Sequence, residues 1–116
     1  MLSWSANLHL ANILMALYQV WDSAVLIEKI DIKNAPFSMM TIDVLVGIQE
    51  KNHLRLEYDR AHLAVYVKCE EGYVYLGKLV QLPKINGFDS CDMKNLLMVL
   101  RAAEKVFSEQ IHKRRE

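Results

Sequence analysis

The chain has 116 residues, with 14 basic and 14 acidic side chains, a net charge of zero, 53% hydrophobic and 24% charged residues. That length suits a single domain spanning 1–116, and the apolar content argues against disorder over most of it. The balanced charge lacks the basic footprint of a nucleic-acid binder. It also leaves little colloidal repulsion, which is compatible with association.

The two cysteines, Cys69 and Cys91, form no Cys-x-x-Cys motif and are too few for a disulfide framework. They read as reduced thiols, with a single disulfide as the alternative, and a cytoplasmic protein is expected. The apolar run from Ala6 to Trp21 is not expected to act as a targeting segment or a membrane span. It has no basic flank, is interrupted by Asn7, His9, Asn12 and Gln19, and falls short of the ~20 apolar residues that a span needs.

The same run has helical spacing. Ser5 is a candidate cap, and Leu10, Ile13, Leu14, Leu17, Tyr18 and Trp21 recur at the intervals of one helix face. Leu8, Ala11 and Met15 widen the apolar arc, so this helix is expected to touch more than one layer or a second chain. The period then becomes two. Leu26, Ile30 and Ile32 share a parity opposite Lys29, Asp31 and Lys33, giving a first strand in which Glu28 is an imperfection. Pro36 breaks it. A second strand carries Ile42, Val44, Val46 and Ile48, with Lys51-Asn52-His53 as the following hairpin connection. Leu54, Leu56 and Tyr58 mark a third strand, and Leu63, Val65 and Val67 a fourth. Glu70-Glu71-Gly72 is a turn, because glycine takes the positive φ that tight hairpins demand. A fifth strand is expected over Tyr73–Leu82, ended by Pro83, with Asn86-Gly87 as a further turn signal.

The last element is an amphipathic helix. Asp89 or Ser90 can cap it and Asp92 suits its first turn. Met93, Leu96, Leu97, Leu100, Ala103, Phe107 and Ile111 form one face, and Lys113, Arg114 and Arg115 complement the dipole at its end. The order helix, about five strands in hairpins, helix predicts an α+β fold. Its antiparallel sheet carries the N-terminal and C-terminal helices on one face.

No catalytic constellation is visible, and an enzyme is not expected. His9, His53, His62 and His112 do not pair at metal-ligand helical spacing, and neither cysteine completes a zinc pattern. No nucleophile elbow or phosphate loop occurs, and four glycines leave little for backbone phosphate cradles. No cofactor and no metal are therefore expected. A two-histidine site of His53 and His62 and a reactive Cys91 at a helix start are weighed against solvated histidines and an inert helix-start cysteine, and the ordinary readings are preferred. Glu28, Asp31, Asp43, Glu57 and Asp59 read as the solvated face of a half-buried sheet, and the same reading is preferred for Arg55 and Arg60 over a role as anion binders. Tyr58, Tyr66, Tyr73 and Tyr75 crowd the third to fifth strands. Exposed aromatics there would suit a protein contact, while cross-strand packing is the ordinary reading.

With the segments HLAVYVKCEEGYVYLGKLVQLP and DSCDMKNLLMVLRAAEKVF, the stretch Leu63 to His112 resembles the class I effector chaperones of bacterial type III secretion. Those chains place a late hairpin before a loop and a final amphipathic helix. ANILMALYQVW followed by a strand is similar to their opening helix. Val20-Trp21-Asp22 stands where that family usually has a Leu-Gly pair, and Asp59 to His62 leaves no room for its middle helix. The resemblance implies a cytoplasmic homodimeric virulence chaperone without cofactor. It would hold an extended segment of a secreted effector protein by strand addition or apolar anchoring. Leu10, Leu14, Leu26 and Ile30 are the candidate partner-binding residues, with no nucleic acid or membrane as partner. An immunity or inhibitor protein that binds a toxin, and a roadblock- or profilin-like scaffold, are the alternatives.

Overall fold

Apolar side chains every second residue can be buried only if a sheet turns one face to a core, and that requirement organises this molecule. The computed structural model describes residues 4–33, 39–47, 51–59, 62–70, 72–81 and 93–115. Helix α1 (Trp4–Trp21) is followed by β1 (Val25–Lys33), β2 (Met39–Val46), β3 (Asn52–Asp59), β4 (His62–Cys69), β5 (Gly72–Tyr75), a 3-10 turn (Leu76–Lys78) and helix α2 (Met93–Arg115). The strands form one sheet in the order β1-β2-β3-β4-β5, and each neighbouring pair is antiparallel. The expected α+β architecture is the one observed.

Met40, Ile42, Val44 and Val46 of β2, Leu54, Leu56 and Tyr58 of β3, and Leu63, Val65 and Val67 of β4 line the buried face. They join Ile13, Ala16, Leu17 and Trp21 of α1 and Leu96, Val99, Leu100, Ala103, Val106 and Phe107 of α2 in one core cluster. The two helices also pack against each other. At about 25 cal/mol per Å² of apolar surface, burial on this scale is the main force holding sheet and helices together.

Several expectations need correction. The helix begins at Trp4, so Ser5 lies within its first turn and is not the cap. On α1, Tyr18 turns to solvent at 50% exposure beside Met15 at 55%, and the small Ala16 takes a place in the core. At ~3.6 residues per turn Ala16 falls on the buried side with Ile13 and Leu17, and Tyr18 lies about 200° around the helix from it, past the edge of the buried arc.

Leu26 and Ile30 do not share a face. Ile27 pairs with Val44 and Lys29 with Asp43, so Glu28 is an extra, bulged residue in β1. A bulge shifts the alternation by one residue. Leu26, opposite Leu45, therefore faces outward, while Ile30, opposite the fully buried Ile42, faces the core side.

Asn52 and His53 belong to β3, opposite Val46 and Leu45, not to the preceding connection. β2 is followed by Gly47 at φ +88°, whose N–H donates to the Ala24 carbonyl at 3.0 Å. The fifth strand ends at Tyr75, not at Leu82. Leu76 turns inward to 1% exposure, and its carbonyl accepts from the N–H groups of Leu79 (2.9 Å) and Val80 (3.1 Å). Burial of this one side chain curls the backbone out of the ladder.

Gly72 does take the positive φ expected of the turn, at +119°, and pairs with Cys69. The break at 34–38, Ile48, Arg60, the turn at Asn86-Gly87, Pro83, Cys91 and the caps Asp89, Ser90 and Asp92 lie outside the described residues.

Candidate functional site

The other face of the sheet carries polar and aromatic side chains in cross-strand rows. One row runs Lys29, Asp43, Arg55, Tyr66, Tyr75 across all five strands, each residue directly opposite the next. A second runs Asp31, Thr41, Glu57, Ala64. Leu26, Leu45 and His53 form a third, with Lys68 and Tyr73 paired further along the face.

Arg55 is the centre of this surface. Its Nε donates to Asp43 Oδ1 at 2.7 Å and a terminal nitrogen donates to Oδ2 at 3.3 Å. This is the forked geometry that a guanidinium makes with a carboxylate. The same guanidinium lies 4.3 Å from the centroid of the Tyr73 ring, within cation–π range. Hydrogen bonding to Asp43 is the main influence that raises the Arg55 pKa further, so the side chain is a fixed cation.

The tyrosines are held as well. The Tyr66 and Tyr75 ring centroids are 5.7 Å apart and the rings are tilted by 60°, within the separation at which aromatic pairs attract. Burial raises the Tyr66 phenol pKa above the ordinary value, with Glu57 adding both charge and a hydrogen bond. Burial likewise raises Tyr73, Asp43 adding to the rise and Arg55 opposing it. At the rim, Glu28 projects from the bulge to within 3.6 Å of His53 Nδ1, an ion pair when the imidazole is protonated. The bulged Glu28 thus adds an acid to the rim of this face.

A small cleft of about 210 Å³ lies at one end of the sheet, between the start of β3, the end of β4 and the later turns of α2, lined by Lys51, Asn52, His53, Lys68, Phe107 and Gln110 among others. It is smaller than the ~300–1,000 Å³ typical of small-molecule sites. Nearby, Gln110 Nε2 donates to Cys69 Sγ at 3.0 Å, tying α2 to the end of β4.

The four partner-binding candidates do not form one patch. Leu10 and Leu14 are half-buried on α1 against the core. Leu26 is 46% exposed on the outer face, and Ile30 is 39% exposed at the core-side margin of β1. His53 lies near the start of β3, and His62 sits opposite Asp59 at the other end of that strand, roughly 20 Å away along it. They form no joint site. Tyr58 separates from the other strand tyrosines and joins the core.

Sequence reasoning grouped Arg55 with solvated charges and missed its engagement with Asp43 and Tyr73. The available signal was parity: Asp43, Arg55, Tyr66, Tyr73 and Tyr75 all occupy the outward phase of their strands. In the strand pairings, no acid stands directly opposite another acid, and Asp43 is flanked by Lys29 and Arg55.

Among the described residues no group of three or more His, Cys, Asp or Glu is arranged to hold a metal ion. No helix among them is long and apolar enough to cross a membrane. No family model, curated protein or solved structure matches the chain.

Proposed function

We propose that this protein is a binding adaptor that holds an extended segment of another protein against the outer face of its sheet, in the manner of a secretion chaperone. The observation that carries this reading is the Arg55 guanidinium, fixed by Asp43 and stacked on Tyr73 beside the Tyr66–Tyr75 pair. Arginine and tyrosine are the side chains that most often dominate protein-binding energy, and they contribute most when held in place before the partner arrives. An extended chain fits the face because its side chains repeat at the spacing of the rows beneath it. Both charge signs and the rings of Tyr66 and Tyr75 lie within those rows. The small size of the neighbouring cleft further favours a surface contact over a buried small-molecule substrate.

The test is selection of displayed, unstructured peptides on the immobilised protein, followed by titration of the enriched peptides against wild type and the double variant Arg55→Ala/Tyr73→Ala. Enrichment of a peptide class whose affinity falls at least about tenfold in the variant supports the reading, since truncating two central contacts typically removes more than ~1 kcal/mol. Peptides that bind the variant equally well, or no enrichment at all, overturn it.

A further inference from the structure

We infer that the free edge of β1 pairs with the β1 edge of a second copy of this chain, in one specific antiparallel register centred on Ile30. Among the described residues β1 is the terminal strand of the sheet order, bonded to β2 on one side and to no strand on the other. Its core-side residues are incompletely covered. Ile30 is 39% exposed although its ladder partner Ile42 is fully buried, and Ile27 and Ile32 are half-buried. An edge strand with apolar side chains and a nine-residue length is a template for another strand.

Charge and extent of overlap together choose the register. Consider the two-fold pairings that keep both core faces on the same side of the joined sheet. Centring on Lys29 sets Lys29 against Lys29 of the other copy. Centring on Asp31 sets Asp31 against Asp31 and Lys29 against Lys33. Both place like charges opposite one another, which is destabilising. Centring on Ile30 places Lys29 of each copy against Asp31 of the other, two complementary pairs on the outer face. On the core side it sets Ile30 against Ile30, and with Glu28 bulged out of the count it sets Ile32 against Ile27. Centring on Ile27 sets Lys29 against Leu26, and centring on Ile32 pairs Asp31 with Lys33 but overlaps only the end of the strand. Of these registers, the one on Ile30 combines complementary charge, an apolar match and pairing along nearly all of β1, and the bulge that would otherwise protect the edge supplies the isoleucine match. The joined sheet would have ten strands and two copies of the Arg55 surface on the same side. This pairing is independent of what that surface binds.

The test uses charge reversals that act in opposite senses. Wild type is expected to sediment as a dimer in the micromolar range. Lys29→Glu sets a new carboxylate against Asp31 of the other copy, and Asp31→Lys sets a new ammonium against Lys29, so each variant alone is expected to be monomeric. An equimolar mixture of the two restores both opposite-charge pairs and is expected to form a heterodimer. Circular dichroism of each variant checks that the fold is retained. As a readout independent of the charge reversals, Ile30→Cys is expected to give a disulfide-linked dimer under mild oxidation. A monomeric wild type, charge variants that remain dimeric, or a mixture that stays monomeric overturns the proposal.

Discussion

Arg55 and Asp43 stand directly opposite each other on adjacent strands and are joined by two hydrogen bonds, at 2.7 and 3.3 Å. Arg55 is about one-third exposed and Asp43 less so. A partly solvated pair of this kind contributes little to folding, on the order of 0.5–1 kcal/mol. A double-mutant cycle with Arg55→Ala and Asp43→Ala, read by urea denaturation, is expected to give a coupling energy in that range. A coupling of several kcal/mol would assign the pair to the stability of the fold instead of its surface chemistry.

The tyrosines of the outer face make a prediction in pH. Tyr66 and Tyr73 have phenol pKa values raised in the folded protein, chiefly by burial. Between the unfolded value near ~10 and the raised folded value, the native state binds more protons than the unfolded state, so stability falls as pH increases. Their contribution is complete below pH ~10 and is lost as pH rises through the folded values. Absorbance titration of phenolate is expected to show a late-ionising component that shrinks in Tyr66→Phe. Loss of cooperative folding well below pH ~10 would contradict this account.

The bulge gives a prediction of the opposite kind. Because Glu28 is the extra residue between Ile27 and Lys29, its deletion leaves every other side chain of β1 on its present face. Deletion of Glu28 is expected to preserve the fold, with a loss of roughly 1 kcal/mol or less. Deletion of Asp43 from the regular ladder of β2 would flip half of that strand, and is expected to abolish cooperative unfolding. Comparable melting curves for the two deletions would refute the register.

Helix α1 ends on a residue under backbone strain. Asp22 has φ +56°, and its N–H donates to the Tyr18 carbonyl at 2.8 Å, the left-handed cap position where glycine is favoured. Its negative charge also sits at the negative end of the helix dipole. Asp22→Gly is expected to stabilise by about 0.5 kcal/mol, raising Tm by roughly 2–4 °C. Asp22→Val should lower it, because a β-branched residue resists this conformation.

Leu56 lies at the centre of the middle strand, with no solvent exposure. Leu56→Ala is expected to cost about 3 kcal/mol, a large share of the ~5–15 kcal/mol of a typical domain. A loss below about 1 kcal/mol, measured by chemical denaturation, would mean that the core collapses around the cavity.

Much of this architecture follows from local pattern. The alternation of Ile42, Val44 and Val46, of Leu54, Leu56 and Tyr58, and of Leu63, Val65 and Val67 specifies three strands and their buried faces, because a pleated chain exposes its side chains with period two. The recurrence of Leu96, Leu100, Ala103 and Phe107 specifies the last helix for the corresponding reason. Gly72 marks its hairpin because other residues resist its φ. The outward parity of Arg55 and Tyr73 is also written in the chain.

Tertiary structure decided the rest. Whether Glu28 bulges depends on β2 beside it, since a bulge is a mismatch between two strands and has no signature in one. Leu26 and Ile30 look alike in sequence and part company for that reason. Tyr75 gives way to the buried Leu76 because the core, not strand propensity, claims that leucine. The contact of Arg55 with Asp43 and Tyr73 needs three strands in register, which local periodicity does not specify. Periodicity says which way a side chain points, and long-range pairing says what it meets.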